Sequence, residues 1–256
     1  MLHQFSRTEL AIGPEGLDVL RGCSVAVLGV GGVGAIAAES LARSGVGRIV
    51  MIDKDVVDIT NINRQLHALT TTIGQSKVDL MCERIALINP ACETVPLRMF
   101  YTEETCEQLF QHKLDYVIDA SDTISYKIHL IKECLRRGIP IVSSMGAANK
   151  MDPTRFQVAD ISKTSMDPIA RVIRQKLRKE GIRSGVKVVF STEPPTKPRE
   201  DVTQRIVPDT APKEVRKAQQ PPASIAFVPP VVGLIMTGVA VRELLELRGS
   251  DSKKAE

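Results

Sequence analysis

The first residues of this 256-residue chain that could do chemistry are four glycines lying close together. They spell G-x-G-G-x-G between an apolar run at 25–28 and a run of helix formers at 35–43: Gly29, Gly31, Gly32 and Gly34. Glycine lets a backbone turn approach a phosphate closely, and the N-terminus of the following helix attracts the negative charge. The spacing predicts a nucleotide-binding turn rather than a turn that only packs a strand against a helix.

Charged residues after this turn indicate which nucleotide chemistry to expect. Asp53 ends the next predicted strand, where a carboxylate can accept hydrogen bonds from ribose, although an acid without a ligand is also common there. Hydride transfer by an NAD enzyme has no use for the further cations Arg64 and Lys77, whereas splitting a triphosphate does. Asp119 and Asp122 lie at the carboxyl end of a later strand, and either carboxylate could hold Mg²⁺. These residues favour an ATP-using enzyme over an oxidoreductase, and we expect the Lys77 side chain to be exposed.

The elements that must position these residues alternate between strands and helices. Strands are predicted at 25–28, 48–52, 93–100, 116–120 and 140–143, and helices at 35–43, 77–88 and 126–137. Further on, strands at 155–159 and 186–191 flank a helix at 168–180, and a last helix covers 231–247. The pattern predicts an α/β fold: a doubly wound, Rossmann-like, mostly parallel sheet, extended by further strands and helices in the C-terminal part.

We predict a single domain over 1–256, in which the nucleotide core is 1–150 and a substrate-side extension is 151–247. A segment rich in proline and charge, 194–222, is predicted to be a flexible loop. The stretch 223–241 carries no charge, but Pro229 and Pro230 interrupt it and leave fewer than the ~20 apolar residues of a membrane span. We therefore expect a buried helix there and no membrane partner.

Composition narrows the class of protein further. Apolar residues make up 43% of the chain and Trp is absent, which favours an aliphatic core. The five cysteines include no C-x-x-C pair, so a zinc site of the C-x-x-C type is excluded and a disulfide framework is not expected. Reduced thiols and a cytoplasmic location are the prediction.

Basic residues crowd into a segment near the predicted helix at 168–180. The segment is opposed only by Glu180 and contains Arg171, Arg174, Lys176, Arg178, Lys179, Arg183 and Lys187. Such a run can neutralise several phosphates of a nucleic acid, although an ordinary solvated helix face can contain the same excess of basic residues. Aromatic residues that would stack on unpaired bases are missing from it.

Taken together, the motifs resemble the adenylating domain of the ubiquitin-activating (E1-like, ThiF-like) superfamily. They are F-S-R-x₅-G-x-x-G-x₃-L from Phe5, the glycine turn, D-x-D from Asp53, T-N-x-N-R-Q from Thr60, G-x-x-K from Gly74, I-N-P from Ile88 and D-A-x-D from Asp119. The resemblance implies that the four glycines cradle ATP, that Asp53 binds the ribose and that Asp122 binds Mg²⁺. It assigns the phosphates to Asp55, Asn61, Arg64, Gln65 and Lys77. It also implies a homodimer in which Arg7, otherwise an ordinary surface arginine, reaches the neighbouring subunit's ATP site. The implied catalytic set is Arg7, Arg64, Lys77 and Asp122.

The second half resembles one group within this superfamily, the tRNA threonylcarbamoyladenosine dehydratases. The pieces that carry this resemblance are D-P-T-R from Asp152, D-I-S-K-T from Asp160, D-P from Asp167 and F-S-T-E from Phe190, and the likeness runs from about 5 to 247. It implies ATP-dependent cyclisation, with loss of water, of N6-threonylcarbamoyladenosine at position 37 of tRNAs that read codons beginning with adenine. It also implies ATP, Mg²⁺ and a monovalent cation as ligands, and tRNA as partner.

Some relatives carry a cysteine just before F-S-T-E and have a sulfur-transfer protein as partner, whereas this chain has Val188 and Val189 there. A sulfur-accepting role at this place is therefore not expected. The alternatives are an adenylating enzyme for a ubiquitin-like or sulfur-carrier protein, a nucleotide-sensing scaffold and an NAD oxidoreductase.

Overall fold

The computed structural model describes residues 2–206 and 222–252, with side chains described over 2–203 and 222–247. Seven strands form one sheet in the order β3-β2-β1-β4-β5-β7-β6. The strands are β1 (Ser24–Leu28), β2 (Arg48–Ile52), β3 (Glu93–Leu97), β4 (Tyr116–Asp119), β5 (Ile141–Ser144), β6 (Phe156–Asp160) and β7 (Lys187–Ser191). Neighbours run parallel except β6 and β7, which pair antiparallel. The predicted doubly wound, mostly parallel sheet is confirmed.

Helices connect these strands and extend the chain beyond them. They are α1 (Ser6–Arg21), α2 (Gly34–Ser44), α3 (Lys77–Ile88), α4 (Cys106–Phe110), α5 (Ile124–Arg137), α6 (Pro168–Lys179), α7 (Glu200–Ile206) and α8 (Val228–Ser252). Three of them, α1, α4 and α7, were not predicted. Because α7 lies inside 194–222, the prediction of a loop is wrong over that helix, and 207–221 lie outside the described residues.

The N-terminal helix α1 escapes prediction for a physical reason. Gly13 has a φ of 74° in its middle, so the two halves form a kinked rather than a continuous helix. Pro14 opens the second half, where a missing N–H costs nothing. Leu10 is exposed in the first half while Leu17 and Leu20 are buried in the second. A kink of this kind breaks the apolar period on which helix prediction depends.

The apolar helix α8 belongs to the core of the domain. By length and composition, residues 228–247 could cross a membrane, but half of this window is buried inside the fold. Val232, Met236 and Ala240 are fully buried in one core cluster with α2. A Cβ on Gly233 would overlap the Val33 carbonyl and the Ile36 side chain, so the two helices cross at close range. Pro229 and Pro230 lie in the first turn of α8, where proline is tolerated.

Candidate active site

A cleft of about 520 Å³ opens at the carboxyl edge of the sheet, where the loops after β1, β2, β4 and β5 meet. The chain winds from β1 outward to β3 and then returns to β4 on the other side of β1. The connections therefore diverge between β1 and β4, and a crevice forms at that point in doubly wound sheets. The fold thus places the cleft where a nucleotide would be expected.

The glycine turn after β1 forms one wall of the cleft, and at Gly29 and Gly32 it leaves little room for a side chain. A Cβ on Gly29, whose φ is 83°, would lie 2.8 Å from the Ala120 carbonyl oxygen. A Cβ on Gly32 would lie 3.0 Å from the Pro229 side chain. Gly31 also lines the cleft. These three positions fit a backbone cradle for phosphate, as predicted.

Gly34 packs the start of α2 against the turn, and its predicted part in the ATP cradle stays a prediction. It does not line the cleft, and a Cβ there would overlap the carbonyl oxygen of Gly29. Its lack of a side chain lets α2 start directly against the turn, which serves close packing of helix on strand. The structure places Gly34 behind the cradle.

Asp53, at the end of β2, lines the cleft and fixes the glycine turn. Its carboxylate accepts hydrogen bonds from the backbone N–H of Val30 at 2.8 Å and of Asp55 at 2.9 Å. A carboxylate has about four acceptor positions, so two such bonds leave capacity for ribose hydroxyls. The geometry is compatible with the predicted ribose contact and adds a positioning role for the turn.

Lys77 and Asp55 form an ion pair across the cleft wall. The Nζ of Lys77 lies 3.2 Å from Oδ2 of Asp55, and Lys54 approaches the other oxygen to 3.3 Å. Burial would raise the pKa of Asp55, but the two lysines outweigh it and hold that pKa below its usual value. The expectation of an exposed Lys77 is wrong, because only 5% of the residue is accessible. A buried cation at the glycine turn is well placed to interact strongly with phosphate, since little water screens it.

The T-N-x-N-R-Q segment supplies two residues to the cleft and one to the scaffold. Arg64 is half-buried, and its Nη1 donates to the Thr60 carbonyl at 2.8 Å; burial lowers the pKa of this guanidinium. Gln65 is buried, and its Oε1 has no hydrogen-bond partner among the described residues. An unpaired buried amide costs about 1–3 kcal/mol, so the site fits a polar ligand that would pair with it. Asn61 instead caps the short turn Ile59–Asn61 by accepting from Asp58 N–H at 3.1 Å, away from the cleft wall.

The two acids after β4 have separate surroundings. Asp119 is fully buried and ion-paired to Lys127 at 3.0 Å, and Ser143 and Ser121 donate hydroxyl hydrogen bonds to it. Asp122 is exposed on the cleft wall. In the described part of the chain no cluster of three or more His, Cys, Asp or Glu residues could hold a metal. Of the two acids only Asp122 lines the cleft, and the Mg²⁺ contact predicted for it stays a prediction.

Helix α6 begins at the cleft and carries most of the predicted basic surface. Pro168 lines the cleft, and the exposed cations that follow are Arg171, Lys176, Arg178, Lys179 and Arg183. Glu180, the one opposing acid, pairs with Lys132 at 2.8 Å. Arg174 is half-buried and donates to the Thr164 carbonyl at 2.9 Å, while Lys187 pairs with Glu243. The predicted basic surface therefore loses Arg174 and Lys187, whose charged groups have partners within the chain.

Arg7 lies on the first turn of α1 and is exposed. It does not line the cleft of its own chain. Of the four residues predicted as catalytic, three line the same cleft: Arg64, Lys77 and Asp122. Arg7 does not line this cleft.

The comparisons with known proteins agree with this geometry. The ThiF family profile matches residues 5–255. The chain is 68% identical to a tRNA threonylcarbamoyladenosine dehydratase of Bacillus subtilis over 246 residues, which covers 96% of each chain. It belongs to the tRNA threonylcarbamoyladenosine dehydratases of the ThiF family.

Solved structures show the same relationship. The Escherichia coli tRNA N6-threonylcarbamoyladenosine dehydratase in complex with ATP matches with a TM-score of 0.84 at 33% identity over 96% of both chains. A further crystal structure of that enzyme contains AMP. By contrast, a molybdopterin-synthase adenylyltransferase of Salmonella typhimurium is 33% identical over 139 residues, only 54% of either chain. The resemblance stated from sequence is confirmed, and the carrier-adenylating alternative is the more distant relationship.

The cleft of this ThiF-family chain also contains residues that sequence reasoning missed. Phe100 and Tyr126 meet edge to face with centroids 6.4 Å apart, and Lys54 lies 4.0 Å above the Phe100 ring. The prediction placed Phe100 in a strand, but β3 ends at Leu97 and the chain then turns into the cleft. The sequence did contain a signal for Phe100, because an aromatic residue near the carboxyl end of a predicted strand can face the ligand crevice. At the other end of the cleft, Lys150 and Asp167 line the wall, and no spacing in the sequence connects them.

Proposed function

We propose that this chain uses ATP to dehydrate N6-threonylcarbamoyladenosine at position 37 of tRNAs that read codons beginning with adenine. The threonyl carboxylate is activated, and the group then closes into a ring with loss of water. The observation that carries the proposal is the 68% identity with a dehydratase over 96% of each chain. The ATP-bound relative of the same fold supports the nucleotide.

The residues of the cleft have complementary roles in activation. A carboxylate resists attack because its leaving group would be oxide, and transfer of a phosphate-bearing group from ATP turns that oxygen into a good leaving group. Gly29, Gly31 and Gly32 hold the phosphates by backbone N–H groups. Arg64 and Lys77 stabilise the negative charge that develops on the departing phosphates. Asp122 would hold Mg²⁺, which would neutralise phosphate charge when bound.

Ring closure needs no nucleophile from the protein. The carbamoyl nitrogen of the modified base already lies near the activated carboxyl group, so attack is intramolecular and gains from a high effective concentration. No cysteine lines the cleft in the part of the chain described. Burial raises the pKa of Cys92 to about 11, which keeps that thiol protonated at neutral pH. These observations support direct cyclisation over a thioester route.

The remaining partners follow from the surfaces around the cleft. The cations of α6 bind the tRNA backbone, and because α6 starts at the cleft, an RNA lying along it can present a nucleoside there. A homodimer completes each site with Arg7 of the partner, and the enzyme acts in the cytoplasm. A monovalent cation remains a prediction without assigned ligands.

Mass spectrometry of tRNA nucleosides tests the proposed function. Incubation of the purified chain with ATP, Mg²⁺ and threonylcarbamoylated tRNA should yield a nucleoside lighter by one water, after a mild digestion that preserves a labile ring. A parallel reaction with a carrier protein ending in Gly-Gly distinguishes the alternative. ATP consumption with the carrier and an unchanged tRNA nucleoside would overturn the proposal in favour of carrier adenylation.

A further inference from the structure

Two buried charged residues line the end of the cleft that faces away from Asp53. Lys150 follows the loop after β5, and Asp167 precedes the first residue of α6. Each is only 4% exposed. Neither is needed to hold phosphate, since the glycine turn and its cations form the opposite wall. A buried charge is costly unless it is paired or hydrogen-bonded, so the fold must supply such contacts to both side chains.

The backbone before each of these residues is strained. Asn149, with a φ of 58°, precedes Lys150, and Met166, with a φ of 61°, precedes Asp167. They are the two non-glycine residues with positive φ in the described part of the chain. Such conformations persist where the surrounding structure enforces them, and they concentrate at active sites. Asparagine adopts this conformation readily, so the fold spends conformational energy chiefly at Met166, the residue before Asp167.

Neighbouring contacts fix both side chains. Asp167 caps α6 by accepting from the Ala170 N–H at 3.0 Å. Lys150 donates to the backbone carbonyl of Glu193, whose own carboxylate accepts the N–H groups of Met151 and Asp152 at 3.0 Å. Burial raises the pKa of Asp167, and the charge of Lys150 is among the effects that oppose this rise. The result is a carboxylate that is a stronger base than an exposed one.

We propose that Asp167 is the general base of ring closure. This inference rests on the proposed function. The nitrogen between adenine and the carbamoyl carbon attacks the activated threonyl carbon, and a C–N bond forms. The C–O bond to the phosphate-bearing group breaks, and its electron pair leaves on that oxygen. The proton of the nitrogen passes to the Asp167 carboxylate and from there to solvent.

Asp167→Asn is the decisive substitution, because asparagine can accept the same N–H and keep the cap of α6. Asp152→Asn is the matched control. Asp152 also precedes a proline and caps a helical turn, accepting from Thr154 N–H at 2.9 Å, but it does not line the cleft. The measurements are the affinity for ATP, the rate of ATP consumption and the rate of cyclised nucleoside formation on threonylcarbamoylated tRNA.

The Asp167→Asn variant should bind ATP as the wild type does and form cyclised nucleoside about a hundredfold or more slowly. ATP consumption should fall less, because activated acyl groups that fail to close are hydrolysed, so more ATP is used per product. An unchanged ratio of ATP to product, or loss of ATP binding, would overturn the inference and leave Asp167 as a structural cap. A wild type that forms no cyclised nucleoside overturns the proposed function and the inference together, whereas equal rates in both proteins overturn the inference alone.

Discussion

At the scale of single residues, Lys77 shows how the same side chain serves fold and site. Its amine pairs with Asp55 beside the glycine turn, and its stem is enclosed at the start of α3. Because Asp55 remains about half exposed, the pair itself contributes at most about 1 kcal/mol to stability. The buried stem contributes more, roughly 0.8 kcal/mol for each methylene group. Substitutions of Lys77 can therefore separate the effect of its charge from the effect of its buried hydrocarbon stem.

Lys77→Met should abolish ATP turnover while leaving the fold nearly as stable as before. Methionine keeps most of the buried stem but removes the cation, so turnover should fall by about a hundredfold or more. Lys77→Ala, which also deletes three methylene groups, should cost about 2 kcal/mol in the free energy of unfolding. Denaturant unfolding and an ATP-consumption assay measure the two effects. Lys187→Met, at the start of β7 and paired with Glu243, is the control, and normal turnover in Lys77→Met would contradict the assignment.

His67 makes stability depend on pH. Both ring nitrogens are buried without a hydrogen-bond partner among the described residues, and burial followed by the charge of Lys77 lowers the pKa of His67 to about 4. The unfolded chain takes up a proton at this ring near pH 6.5, whereas the folded chain does so only near pH 4. Acid therefore favours the unfolded state, and stability is lost as the pH falls from 6.5 towards 4.

His67→Leu should flatten this dependence. Between pH 7 and pH 5 the wild type should lose about 2 kcal/mol of unfolding free energy through this one ring, and the variant should not. Guanidinium unfolding at the two pH values measures the difference, with the exposed His3→Gln as the control. Parallel curves for wild type and His67→Leu would show that the ring takes up its proton at the same pH in the folded and the unfolded chain.

At the scale of elements, α6 connects the cleft to the surface. Its first turn contributes Asp167 and Pro168 to the cleft wall, and later turns expose cations that no carboxylate among the described residues neutralises. Ile173 and Leu177 bury the opposite face in the core cluster that α6 shares with α5. The helix is thus anchored by apolar contacts while its charged face remains available to a polyanion.

Reversing two of these charges should weaken tRNA binding without changing ATP affinity. Arg171 and Arg178 are exposed and lie seven residues apart on one face, so Arg171→Glu with Arg178→Glu removes two backbone contacts. The slope of log affinity against log salt should decrease by about 2. Arg21→Glu with Lys113→Glu makes the same change in charge at the amino edge of the sheet, where β1 and β4 begin. Equal tRNA affinity in both double variants would exclude α6 as the binding surface.

Sequence alone predicted the parallel strands well and parts of the site poorly, for identifiable reasons. Buried parallel strands are continuous apolar runs, so the bounds of β2 matched the prediction to the residue. Asp53 and Lys77 were found because the ATP motifs are local. Lys150 and Asp167 were missed because only the fold brings their segments together. Asn61 forms a capping box with Asp58, a local spacing that the sequence contains and that the prediction overlooked. The contact of Arg174 with the Thr164 carbonyl depends on the fold and could not be predicted from residue types.

At the scale of the whole molecule, the position of Arg7 is informative. Three of the residues predicted as catalytic share a cleft, but Arg7 is exposed on α1 and does not line it. Either Arg7 has no part in the reaction, or it acts on a cleft of another copy. A two-fold dimer would repeat any such contact in both directions, so each subunit would donate one arginine and receive one.

Mixing two inactive variants separates these possibilities. In a dimer of one Arg7→Ala chain and one Lys77→Met chain, the cleft of the first chain retains its own Lys77 and receives the intact Arg7 of the second. One cleft of the two is complete, so after random exchange of subunits the mixture should recover about a quarter of the wild-type activity. Replacing the second chain with the double variant Arg7→Ala, Lys77→Met removes every intact arginine and should give none. If both mixtures stay inactive although mass spectrometry detects mixed dimers, Arg7 does not act across the subunit interface.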